Sequence, residues 1–172
     1  SVYSYTLSTP YDLSTASYDN VSLDVSTEDT APQSITFSSD GTQMFMVGTG
    51  TDSVYSYTLS TAYDLSTASY DSVSFSVRSE DGSSYGITLS SDGTQMFMVG
   101  GSSDSVYSYT LTTPYDLSTA SYDNVSLDVS TEDSSPYGIA FSSDGTQMFM
   151  VGISSDSVHS YTTAGYLRKY VS

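Results

Sequence analysis

The chain has no cysteine, no tryptophan, one histidine, and three basic residues against 20 acids. Each shortage excludes something. Without cysteine there is no disulfide framework, no thiol nucleophile and no thiolate metal site. A formal net charge of −17 over 172 residues repels phosphate backbones and anionic lipid, so neither nucleic acid nor membrane is expected as a partner. No apolar run approaches the ~20 residues of a membrane-spanning helix, so no membrane insertion is expected, and no signal peptide is visible. The chain opens on Ser1 rather than Met, as would follow from a removed leader or from an excerpt of a longer protein. Scarce lysine, abundant Ser, Thr and Tyr, and the missing cysteine together point to an extracellular or cell- or particle-surface setting.

What the chain has is repetition. Ser-Val-Tyr-Ser-Tyr-Thr-Leu begins at Ser1, Ser53 and Ser105, a spacing of 52 residues. A fourth copy starts at Ser157 and departs from the pattern after Thr162. Copies one and three agree at 43 of 52 positions, and copies one and two at 37. A period of this length is one supersecondary unit used repeatedly, which cannot bury its apolar face alone. The domain reading is therefore a single array over 1–172, with repeats 1–52, 53–104 and 105–156 and a partial copy over 157–172.

Within one copy the apolar pattern has period two. Ile139 and Phe141 alternate with small residues; Ser143-Asp144-Gly145-Thr146 reads as a hairpin turn; Met148-Phe149-Met150-Val151 is apolar on both faces, as in a strand sandwiched between layers. A third strand runs from Val106 to Leu111, with Val106, Ser108 and Thr110 on one face and Tyr107, Tyr109 and Leu111 on the other. Pro114–Ala120 reads as a loop with one helical turn. A last strand places Val125, Leu127 and Val129 inward against Ser126, Asp128 and Ser130. Such a polar outer face protects an edge strand from pairing with other chains. Four antiparallel strands in about 50 residues describe a β-propeller blade. The fold class is all-β, with about three and a half blades per chain; a β-solenoid is the alternative, disfavoured because Asp-Gly hairpins make antiparallel pairs.

The segment Ser-Pro-Tyr-Gly-Ile-Ala-Phe-Ser-Ser-Asp-Gly-Thr-Gln-Met-Phe-Met-Val-Gly at 135–152 resembles the signature of YVTN/NHL-like propellers. The likeness covers the first two strands of each repeat, about a third of the chain, and is more specific for fold than for function. Copy one departs from it, with Gln33-Ser34 where the others have Tyr85-Gly86 and Tyr137-Gly138. The tryptophan common in propeller blades is replaced by tyrosine. The resemblance implies stacked blades, in a group that includes cell-surface and phage-associated proteins and a few lactonase-like or lyase enzymes.

With strands lettered A to D from the centre outward, the chain reads C-D, A-B-C-D, A-B-C-D, A-B and a degenerate C-D from Val158 to Val171. Propellers close with about 4–8 blades. Open ends would expose apolar faces of several hundred Å², and at ~25 cal/mol per Å² these would favour association. The expectation is a homo-oligomer, ring or fibre, joined through Val2, Tyr3 and Tyr5 at one end and Tyr166, Leu167, Arg168, Lys169 and Tyr170 at the other.

Eight of the nine differences between copies one and three fall at repeat positions 30–36 and 49–51. In a propeller these belong to the D–A and B–C loops, on one rim. Gln33, Tyr85, Tyr137, Thr49 and Thr51, with Glu28, Glu80 and Glu132 beside them, are candidates for a ligand face, glycans among the ligands. Asp29, Asp81 and Asp133, with Asp52, Asp104 and Asp156, could supply hard oxygen ligands to Ca²⁺, although no EF-hand spacing is present. No other cofactor is expected. Asn20 and Asn124 open Asn-Val-Ser sequons. His159 stands where the other copies have Tyr3, Tyr55 and Tyr107, and reads as a packing variant. No nucleophile elbow or phosphate loop appears. The functional expectation is thus a non-enzymatic, extracellular structural protein working by assembly, with a lectin-like glycan-binding module as the alternative and a propeller lyase or lactonase below it.

Overall fold

The computed structural model describes residues 1–162. In chain order the strands are β1 (Val2–Leu7), β2 (Ala16–Leu23), β3 (Pro32–Phe37), β4 (Gln43–Gly48), β5 (Ser53–Leu59), β6 (Ala68–Ser76), β7 (Ser84–Leu89), β8 (Gln95–Gly100), β9 (Ser105–Leu111), β10 (Ala120–Asp128), β11 (Pro136–Phe141), β12 (Gln147–Gly152) and β13 (Val158–Thr162). Two complete four-stranded blades, β3–β6 and β7–β10, stand between a two-stranded sheet, β1–β2, and a three-stranded one, β11–β13. Every pairing is an antiparallel meander, which is the blade geometry and excludes the solenoid.

Side-chain chemistry explains how the blades stack. Along β4, Met44 and Met46 point to one face and Phe45 and Val47 to the other, and all four are fully buried. The methionine face packs with Tyr55, Tyr57, Leu59 and Val25, while Phe45 and Val47 pack with Met96 and Met98 of the next blade. Each blade therefore buries its methionines against the blade before it and its Phe/Val pair against the blade after it. In β12 only half of this holds. Met148 and Met150 are buried, but Val151 is 43% exposed, with Ile153 and Val158 more so. The reading of 148–151 as sandwiched on both faces is corrected for this copy, because no later blade covers that face among the described residues. At the other end Tyr3 and Tyr5 are also more than half exposed.

The hairpin turns are built by their aspartates. Asp40 Oδ1 accepts from the backbone N–H of Thr42 at 3.0 Å, from Ser38 Oγ at 2.7 Å and from Thr42 Oγ1 at 2.8 Å. The Thr42 N–H is the largest cause holding Asp40 down at about 2; at Asp144 it is the Ser142 hydroxyl, again to about 2. Gly41 sits at φ +71°, and the Tyr63 ring lies so close over it that an added Cβ would run into the ring. Tyr115 repeats this over Gly93 and reaches further. Its hydroxyl donates to the Ser91 carbonyl at 2.6 Å and lies 3.0 Å from Ser39 Oγ of the preceding blade. Tyr11, the counterpart in the first copy, is fully exposed.

The expected helical turn is a single 3₁₀ turn at Leu117–Thr119, capped by Asp116 and repeated at Leu13–Thr15 and Leu65–Thr67. The outer strand begins earlier than the alternation suggests, at Ala120, and ends at Asp128. Val129 is fully buried just beyond it, its N–H donating to the Asp104 carbonyl at 2.9 Å. A register shift in each outer pairing coincides with a residue at φ near +60°: Asn20, Ser72 or Asn124. Asparagine tolerates that conformation better than most side chains, which gives both sequon asparagines a local structural reason.

Candidate functional site

The rim that carries the variable positions is organised by one carboxylate per blade. Asp29, Asp81 and Asp133 leave the loop after an outer strand and are 1–3% exposed. Asp81 accepts from the N–H groups of Ser83 at 2.8 Å, Ser102 at 3.1 Å and Ser103 at 2.9 Å, and from Ser103 Oγ at 2.6 Å. Asp29 makes the same set with Ala31, Gly50 and Thr51, and Asp133 with Ser135, Ser154 and Ser155. The D–A and B–C loops of each blade are thereby tied together on one rim, as the strand order requires. Donation from Ser155 Oγ, the largest cause, holds Asp133 at about 2 against its burial.

A cation at these aspartates would have to compete with the loop bonds. Four donors occupy the acceptor directions of Asp29, Asp81 and Asp133, leaving little for Ca²⁺. Asp52, Asp104 and Asp156 instead end the B–C turns at φ near +50°. Asp52 Oδ2 pairs with Arg78 at 3.3 Å, and its other oxygen accepts from the Ser84 N–H at 3.4 Å. At Asp104 the matching donor is missing because Pro136 has no N–H, and Ser130 stands where Arg78 would. Its Oδ1 is buried without a partner, and burial pushes this carboxyl up. Among the described residues no three His, Cys, Asp or Glu side chains are placed to hold a metal ion.

Two of the candidate glutamates accept from tyrosines. Glu28 accepts from the Tyr57 hydroxyl at 3.3 Å and Glu132 from Tyr161 at 3.2 Å, fastening the loop before a blade to that blade's third strand. Glu80 lies beside Tyr109, whose buried hydroxyl has no partner within hydrogen-bonding distance. Burial is the main reason that Tyr57, Tyr109 and Tyr161 resist ionisation, with these carboxylates adding to it. Glu28 and Glu132 thus brace the scaffold.

The residues at repeat position 33 do converge. Tyr85 and Tyr137 stack with ring centroids 4.8 Å apart and planes at 17°. The Tyr137 hydroxyl donates to Gln33 Oε1 at 2.6 Å, although 104 residues separate them, so the first, second and third A strands meet here. Gln33 Nε2 donates in turn to Thr49 Oγ1 at 3.3 Å. Tyr85 lies over Gly101, where an added Cβ would strike the ring. Tyr137 remains 40% exposed, with Ile153 beside the same loop 68% exposed. The result is an aromatic platform edged by an amide and hydroxyls. Thr51 takes no part in it; it bonds Asp29 and, at 2.9 Å, the Tyr55 hydroxyl.

One arrangement was not foreseen. Thr51 and Ser103 each place a hydroxyl between a buried aspartate and a tyrosine hydroxyl, Tyr55 or Tyr107. In the last copy Ser155 Oγ lies 2.5 Å from Asp133 Oδ2 and 3.2 Å from His159 Nε2. The signal available in the sequence was the four-residue spacing from Ser155 to His159, shared with Thr51/Tyr55 and Ser103/Tyr107. On the opposite rim, a cleft of about 410 Å³ between the β7–β8 and β11–β12 hairpins is lined by Leu89, Phe97 and Phe141. Its acids, Asp92 and Asp144, are engaged in their own turns.

No family model matches this sequence, and no curated protein matches it. Solved structures do. A proposed 6-phosphogluconolactonase from Bacteroides uniformis superposes with a TM-score of 0.61 at 13% identity, over 94% of this chain and 47% of that one. The periplasmic gluconolactonase of Pseudomonas aeruginosa gives 0.57 at 17% identity, over 80% of this chain and 39% of that one. The Cps50 (Swd1) β-propeller domain from Myceliophteria thermophila gives 0.53 at 9%, over 76% and 37%. This chain spans less than half the length of each. The expectation of a non-enzymatic structural protein working by assembly is corrected here. Two of these neighbours are named for lactone hydrolysis and none for structural assembly. Residues Tyr166, Leu167, Arg168, Lys169 and Tyr170 lie outside the described residues. At these identities the likeness carries the fold and nothing finer: the chain is an array of β-propeller blades.

Proposed function

We propose that this chain binds the ring of a neutral sugar lactone on the variable rim and belongs with the hydrolases. The observation that carries the reading is the meeting of Gln33, Tyr85 and Tyr137 from three successive blades. A half-exposed tyrosine ring offers an apolar face to the C–H side of a sugar ring, while the Gln33 amide and nearby hydroxyls can bond its oxygens. The lactonase names of the structural neighbours support the reaction class. Charge selects among substrates. Arg78 is the one lysine or arginine among the described residues, and it is engaged with Asp52. A phosphorylated lactone would meet a strongly acidic surface, so the unphosphorylated ring is favoured. Hydrolysis adds water to the ester carbonyl, breaks the ring C–O bond and yields a carboxylate, which the same acidic field expels. The sugar-binding partner and the extracellular or surface setting are both part of this proposal.

The test is proton release from glucono-δ-lactone at constant pH, corrected for spontaneous opening. Turnover should fall in Tyr137→Gln, which installs the residue already present at position 33. No rate above the spontaneous one, for the full chain at high concentration, would defeat the reading.

A further inference from the structure

We infer that Ser155 and His159 form a nucleophile–base pair at the rim of the last blade, reactive toward acyl and phosphonyl esters. The inference deepens the hydrolase reading and rests on it for the biological reaction. A serine hydroxyl needs a neighbouring base that can take its proton, within about 2.6–3.2 Å. Ser155 Oγ meets that distance to His159 Nε2, at 3.2 Å. At the matching places in the first two blades the neighbour is a tyrosine hydroxyl, which serves poorly as a base near neutral pH.

Asp133 competes for the Ser155 hydroxyl but does not need it. Three backbone N–H groups, of Ser135, Ser154 and Ser155, remain on its carboxylate when the hydroxyl turns toward His159. A carboxylate is a far weaker base than a neutral imidazole, and the three N–H groups weaken Asp133 further, so it does not accept the proton itself. It holds the loop, and the imidazole takes the proton. Ser155 is exposed and His159 half-buried, so a reagent can reach the oxygen while the ring stays fixed. With a fluorophosphonate, the Ser155 O–P bond forms, the P–F bond breaks, fluoride leaves and the hydroxyl proton passes to His159 Nε2.

The experiment is labelling of the full chain with a fluorophosphonate probe, followed by intact mass and peptide mapping. One adduct is expected, on Ser155, absent in Ser155→Ala. His159→Tyr restores the residue of the other copies, so it should keep the thermal midpoint while slowing labelling by about 10²-fold or more. No adduct, an adduct elsewhere, or equal rates in His159→Tyr would overturn the pair. Lactone turnover without labelling removes this pair and leaves the rim reading standing. Labelling without lactone turnover supports the pair and defeats the lactone as substrate.

Discussion

Replacing Asp81 tests whether the buried carboxylates hold the array together. Asp81 is 3% exposed and accepts three backbone N–H groups and one hydroxyl, tying the loop after β6 to the loop between β8 and β9. In Asp81→Ala those three N–H groups lose their acceptor in a space that water reaches poorly. Each such loss costs about 1–3 kcal/mol. Partial access by solvent lowers the sum, so about 3–5 kcal/mol is expected, a large share of an ordinary domain's stability. Asp81→Asn keeps one carbonyl oxygen but turns an NH₂ toward donors, and should lose about half as much. Gly100→Ala probes the same contact from the other side, because an added Cβ would meet the Asp81 carboxylate. Urea unfolding followed by circular dichroism and tyrosine fluorescence gives the midpoint and slope. In a double-mutant cycle, Gly100→Ala should cost at least ~1 kcal/mol less when Asp81 is already alanine. A loss below about 1 kcal/mol for Asp81→Ala at unchanged slope would show that water satisfies the loop and that the carboxylate is not its anchor.

Acid should weaken the fold in a defined window. Asp40, Asp133 and Asp144 are each held at about 2 against an ordinary 3.8, so the unfolded chain binds more protons between those values. Their stabilisation is complete above about pH 4 and is lost as pH falls through 2, while Asp104, pushed up by burial, opposes this slightly. Thermal midpoints at pH 6, 4, 3 and 2 should decline, and a flat series would contradict the turn and loop bonds. Ser72→Asn places in the second blade the residue that the others carry at φ near +60° and should gain about 0.5 kcal/mol in urea unfolding; no gain would mean that the bulge does not favour asparagine. Ca²⁺ or a chelator should shift the thermal midpoint by less than about 1 °C, since a stabilising ion would raise it by mass action; a rise of several degrees with Ca²⁺ would restore the aspartates as ligands.

Much of the fold was legible because the backbone signals are local and repeated. The Asp-Gly hairpin fixes β11 against β12, and the doubly apolar Met-Phe-Met-Val run requires neighbours on both faces. The variable positions showed which rim to inspect, and Gln33, Tyr85 and Tyr137 do meet there. What the local sequence does not show is the partner of each acid. Nothing in the local sequence distinguishes a carboxylate that binds a cation from one that accepts four N–H and O–H donors, since that depends on the loop 21 residues later in the chain. The same holds for Glu28 and Glu132, whose tyrosines lie 29 residues away. His159 reads locally as a packing variant, since the residue it contacts, Ser155, is one serine among many.

Near-identical blades have a consequence for any chemistry on this scaffold. Repetition places like groups around an axis, whereas catalysis needs unlike groups at one point. Unlike groups can arise only where the copies diverge, and in the described residues that happens at few places on this rim. Position 33 offers Gln33 against Tyr85 and Tyr137. The B–C loop offers Thr49, Gly101 and Ile153, and the start of the third strand offers Tyr55, Tyr107 and His159. These three sets share one rim because the Asp29, Asp81 and Asp133 clamps bind the D–A and B–C loops together in every blade. The scaffold acids are therefore identical in each copy for the same reason that the rim can vary: the clamp fixes the loop backbones, and the side chains facing solvent are left to differ. A function specific to one ligand belongs on that rim, and substitutions that make the three blades alike at 33, 49 and 159 should abolish it while leaving the fold intact.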